Sequence, residues 1–115
     1  MRVTTDFWVS ALVRRVFGAG GFAAIARRGA TEAGAVFIIV RDRMGMTDLY
    51  GPAPQTSYDS AKPDERNFSR LETAAEAEAI DMRLAKEGRF DPDIWVVEIE
   101  PGAMAIEELI SLPLP

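Results

Sequence analysis

Residues 35–40 read Ala35-Val36-Phe37-Ile38-Ile39-Val40, and this run decides the fold. It is short, rich in β-branched side chains and apolar at every position, not at every second one. A strand with one wet face alternates; a strand without alternation is central and covered on both faces or nearly so. A sheet with layers against it is therefore expected.

Working outward, Asp42-Arg43-Met44-Gly45 has turn composition, and Gly45 supplies a positive φ. Met46 to Tyr50 follows as another strand, stopped by Gly51-Pro52-Ala53-Pro54. On the other side, Phe22 to Arg28 reads as a strand, joined to the central run by the turn-rich Gly29 to Gly34. These three strands are expected to form an antiparallel meander. Upstream, Thr4-Thr5-Asp6 suits a helix start. Trp8, Val9, Leu12, Val13, Val16 and Phe17 then fall on one broad helical arc, and Gly18, Gly20 and Gly21 end the helix. Strand is the alternative over 6–14, because Phe, Trp and Val also favour strands.

Downstream, the stretch to about Asn67 has no period and is longer than a common connection. Ser69-Arg70-Leu71-Glu72 fits a capping box, and the alanine-rich Thr73 to Glu87 has strong helix propensity, with Gly88 as its stop. Ala77, Ile80 and Leu84 make one apolar stripe; Leu71, Ala75 and Met82 make a second. Ile94 to Glu100 is a fourth strand, ended by Pro101-Gly102. The order α-β-β-β-α-β predicts an α+β two-layer sandwich, a mainly antiparallel four-stranded sheet with helices on one face. The core is expected to hold Trp8, Leu12, Val16, Phe37, Ile39, Trp95, Val97 and Ile99. Residues 1–115 are expected to be one domain, with 101–115 a flexible tail or a short helix.

The chain has 115 residues, no cysteine and no histidine. That excludes thiolate and Ser-His-Asp catalysis within it, and every metal site built on His or Cys. The net charge is −5. Residues 1–43 carry seven arginines against three acids, and residues 44–115 carry six bases against fifteen acids. The halves are expected to pair their charges on folding; nucleic-acid binding is not expected of so acidic a chain. The apolar stretch 7–13 is cut off by Arg14-Arg15 at the low end of a signal core, and no run approaches a membrane span. A cytoplasmic location is expected.

Asp91/Asp93, Glu98/Glu100 and Glu107/Glu108 are acidic pairs of the kind that hold Mg²⁺ or move protons. A solvated strand face and turns account for them as well. Gly18-Ala19-Gly20-Gly21 lacks the lysine of a phosphate loop and follows a helix, the wrong polarity for one. The seven N-terminal arginines cannot form one stripe, although Trp8, Phe22 or Tyr50 have rings able to stack on a base. The irregular stretch offers a recognition surface of Tyr50, Pro52, Pro54, Tyr58, Arg66 and Arg70.

Phe7-Trp8-Val9-Ser10-Ala11-Leu12, Arg27-Arg28-Gly29, Leu49-Tyr50-Gly51-Pro52-Ala53-Pro54 and Phe90-Asp91-Pro92-Asp93-Ile94-Trp95-Val96-Val97-Glu98 together carry a resemblance. Over roughly residues 4–100 the chain resembles a family of small alphaproteobacterial proteins known only as a domain of unknown function. The resemblance implies a cytoplasmic bacterial protein of one domain and no particular chemistry. The reading that remains is a non-enzymatic binding or interaction module. It is expected to be a homodimer using a sheet edge or the first helix, with an unidentified protein or small-molecule partner and no cofactor. The alternative is a small enzyme using Asp/Glu and Tyr, Mg²⁺-assisted, on a phosphorylated or nucleotide substrate.

Overall fold

The computed structural model describes residues 3–54 and 66–112. Its elements run α1 (Thr5–Gly18), β1 (Phe22–Arg27), β2 (Val36–Arg41), β3 (Thr47–Pro52), β4 (Phe68–Ala75), α2 (Ala77–Phe90), β5 (Trp95–Glu100) and α3 (Ile106–Leu109). One five-stranded sheet has the order β1-β5-β2-β3-β4. β2 and β5 are parallel, and every other neighbouring pair is antiparallel. The class is α+β with a mixed sheet.

Helix wins over strand in the first segment. Thr4 caps α1, its Oγ1 accepting from Phe7 N at 3.2 Å. Thr5, Val9, Leu12 and Val16 of α1 are buried. The helix ends where Gly20 takes φ +83°. Gly21 then lies so close to Glu100 O and Gly102 N that a β-carbon has no room. That contact brings the start of β1 against the end of β5.

The central run is covered on both faces, as its composition requires. Val36 and Ile38 face one side with Trp95, Val97, Ile99, Tyr50 and the α1 residues Val9, Leu12 and Val16. Phe37 and Ile39 face the other with Leu49, Val96 and Ile80 of α2. Helices therefore lie on both faces of the sheet, not on one: α1 and α3 on the first, α2 on the second.

Further expectations are corrected. β1 pairs with β5, not β2, so the expected meander of β1, β2 and β3 does not form; the consecutive antiparallel strands are β2, β3 and β4. Residues 68–75 form a strand; the capping box at Ser69 does not form, and α2 starts at Ala77. Without β4, the strand carrying the fully buried Leu49 and Tyr50 would be an edge, and that tertiary gain overrides local helix propensity. Gly88 does not end α2, which continues to Phe90; Gly88 instead makes room for the Arg27 guanidinium. The segment after Glu100 is packed as far as Ser111: Leu109 and Ile110 are buried, and Phe68 N donates to Ser111 O at 2.9 Å. Of the expected core, Leu12, Val16, Phe37, Ile39, Trp95, Val97 and Ile99 are buried. Trp8 is half-buried against the Phe68 ring, and Phe17, placed on the inner arc, is 51% exposed.

Candidate functional site

Of the five described residues expected on the recognition surface, Tyr50 and Arg70 come together and Arg66 is engaged elsewhere. Tyr50 is buried, and its hydroxyl accepts from Arg70 Nε at 3.1 Å and Nη2 at 2.9 Å. Arg70 also lies 5.4 Å from the Tyr50 ring centroid and 3.8 Å from Asp48 Oδ2. The Tyr50 hydroxyl holds the Arg70 guanidinium above its ordinary range; charge interactions with Tyr50 and Asp48 add to this, and burial subtracts. Arg66 donates instead to Thr5 Oγ1 at the start of α1 and lies over the Trp8 ring. Pro52 ends β3 and Pro54 follows it, both exposed. Tyr58 lies outside the described residues. The ends of this stretch are joined by Ala53 N donating to Asn67 O at 2.9 Å, so it links two adjacent antiparallel strands.

Two of the three candidate stacking rings are thus covered from within: Trp8 by Arg66 and Tyr50 by Arg70. Phe22 is 52% exposed. The acidic pairs also have structural roles. Glu98 pairs with Arg41. Asp91 Oδ1 accepts from Asp93 N at 2.9 Å, and Glu108 Oε1 from Ala105 N at 3.2 Å. Among the described residues no three of His, Cys, Asp and Glu come together as a metal-binding group.

Two surface features are left. One is an open crevice of about 500 Å³ beyond the carboxyl ends of β2 and β5, lined in part by Gly20, Phe22, Arg41, Arg43 and Glu100. The connections after these two parallel strands run in different directions, to the adjacent β3 and to α3, which leaves a gap between them. Its charges balance, and Asp42 beside it is engaged in its own turn, Oδ1 accepting from Met44 N and Met46 N.

The other feature is the edge strand β1. Phe22, Ala24, Ile25 and Ala26 are all exposed, and only Arg27 carries charge. Phe17 extends the apolar surface, its ring edge-on to Phe22 at 5.8 Å. The opposite edge is blunted. β4 carries Arg70 and Glu72, its pairing with β3 is irregular at two points, and Ala74 takes φ +47°. Its first residue is also covered by Ser111. Charges, bulges and covering chain are the usual means of stopping a sheet edge from pairing, and β4 has all three. β1 has a bulge between Ile25 and Arg27 and a single charge, Arg27, at its end, and Phe22 to Ala26 carry none. Composition gave the lack of charge over 22–26; the exposure of Phe17 and Ile25 depends on β1 being outermost, which composition does not show.

Comparison with known proteins agrees with the architecture. The solution structure of protein Atu0922 from A. tumefaciens matches with a TM-score of 0.84 at 46% identity, covering 100% of this chain and 98% of that one. The crystal structure of a DUF1491 family protein from Caulobacter crescentus CB15 matches at 0.76 and 32% identity over the whole of both chains. An NMR structure of a DUF1491 family protein from the same organism gives the same score and identity over 99% of each chain. No curated protein matches. The family model described as "Protein of unknown function (DUF1491)" matches residues 3–106. With nine-tenths of its length under that model and close relatives of the same fold, the chain belongs to the DUF1491 family.

Proposed function

We propose that this chain is a cytoplasmic, non-enzymatic interaction module that takes up an extended, uncharged strand at the edge of β1. The observation that carries the reading is the contrast between the two sheet edges. β4 is charged, irregular and covered at its start, whereas β1, outermost among the described strands, offers exposed apolar side chains. Strand addition draws its affinity from main-chain hydrogen bonds and its selectivity from alternate side chains. Here the small Ala23, Ala24 and Ala26 allow close approach, and Phe22 and Ile25 supply the apolar contact.

The test is titration of the isotope-labelled protein, at low concentration, with a synthetic peptide of the β1 sequence, Gly21 to Arg28. Chemical-shift changes centred on Phe22–Ala26, with slower amide exchange there, are expected. No change on β1, or changes confined to β4, refutes the reading.

A further inference from the structure

We infer that the strand taken up by β1 is the β1 of a second copy, so that two sheets join antiparallel across a two-fold axis into one of ten strands. This rests on the reading of β1 as a strand-accepting edge and names its partner. Three observations select a second copy over an unrelated strand.

The first is neutrality. A strand that pairs with itself antiparallel sets its own side chains opposite one another near the axis, and like charges there are unfavourable. Phe22 to Ala26 carries none. The second is size. With the axis at Ala24, the two Ala24 methyl groups lie opposite each other, and the bulky Phe22 and Ile25 lie to either side of it, Ile25 opposite Ala23 of the other copy. The third is charge at the ends. An antiparallel match brings the Arg27 end of each β1 beside the Phe22 end of the other. Phe22 is in register with Glu100 of β5, and Glu100 is exposed and makes no ion pair among the described residues. Arg27 of one copy and Glu100 of the other are then two strand spacings apart, roughly 10 Å between backbones. The combined reach of the two side chains spans that. Arg27 is exposed and donates to Pro92 O at 3.0 Å, a bond it can exchange. The symmetry produces this pair twice.

The contact is one strand of six residues with flanking apolar groups, at the small end of specific interfaces. Association in the micromolar range follows, and closed two-fold symmetry limits it to a dimer.

Sedimentation velocity on the full chain across the micromolar range tests this. A shift from 12.6 kDa towards twice that mass is expected. Ala24→Lys sets two lysines together at the axis and is expected to raise the dissociation constant by about tenfold or more. Ala24 is exposed, so unchanged circular dichroism separates this from unfolding. Thr73→Lys on β4 is the control and leaves the dimer intact. Arg27→Glu and Glu100→Arg each weaken association, and the double variant restores it. A chain that stays monomeric but still binds the β1 peptide overturns the inference and leaves the strand-accepting edge standing. A monomer that ignores the peptide overturns both. A dimer insensitive to Ala24→Lys, or broken by Thr73→Lys, also overturns it.

Discussion

Trp95 shows what a single residue does in this molecule. It is fully buried, its Nε1 donates to Ala30 O at 2.7 Å, and the Arg28 guanidinium lies 4.9 Å from its ring centroid. One side chain therefore fills the core and ties down the turn before β2. Trp95→Ala is expected to cost about 3–5 kcal/mol in chemical denaturation. A loss below about 1 kcal/mol would mean that the indole is not a core group. Ala74 is the reverse case. It sits in the left-handed region, φ +47°, where the chain leaves β4 for α2, and its N–H donates to Asp48 Oδ1 at 2.7 Å. A β-carbon there costs about 1–2 kcal/mol that glycine avoids. After the larger entropy of an unfolded glycine, Ala74→Gly is expected to stabilise by up to about 1 kcal/mol, read as a higher melting temperature. Burial of Trp95 was legible, because it alternates with Val97 and Ile99. The strain at Ala74 was not: alanine carries no signal for positive φ, and tertiary pairing imposes it.

The elements divide the same way. β2 was readable because six apolar residues in succession admit few surroundings, and α1 because its arc repeats at helical spacing. Segment 68–75 departs from its local helix signal for a physical reason. Ser69 and Glu72 at capping distance, followed by alanines, make a locally stable helix start, whereas the strand is stabilised by partners distant in sequence: β3 across the irregular stretch, Ser111 at its start and Arg83 of α2 at Glu72. Thr47 Oγ1 donating to Ala75 O at 3.0 Å and the Tyr50–Arg70 contact hold it there. Tyr50 and Arg70, both expected on a recognition surface, are cross-strand partners. Tyr50→Phe is expected to cost only about 0.5–1.5 kcal/mol, because Arg70 is exposed and regains water. α2 depends on one buried anchor, Ile80. Ile80→Ala is expected to cost about 2–5 kcal/mol and to loosen α2 first, seen as faster amide exchange over 77–90 than in β2 or β5.

At the scale of the whole molecule, chain order and sheet order diverge, and that divergence governs folding. β5 is the last of the described strands in the chain, yet it lies second in the sheet and is the only neighbour of β1 among them. Trp95, Val97 and Ile99 join the α1 side of the core, and Ile94 and Val96 join the α2 side. No pattern within 22–27 names 95–100 as its partner; the match exists only once α2 has carried the chain across. A strand inserted late between two early ones needs contacts at long separation, and such contacts slow folding to the millisecond-to-second range. A chain cut after Phe90 has no β5, so β1 has no partner and both layers lose central residues. It is expected to show no cooperative thermal transition, with the near-ultraviolet dichroism of Trp8 lost. If instead it melts cooperatively, β2, β3 and β4 form an independent unit and β1 is an appendage. The bare edge of β1 would then be the outer face of an attachment only one strand deep, and its pairing with a second copy would stabilise the fold as well as join two chains.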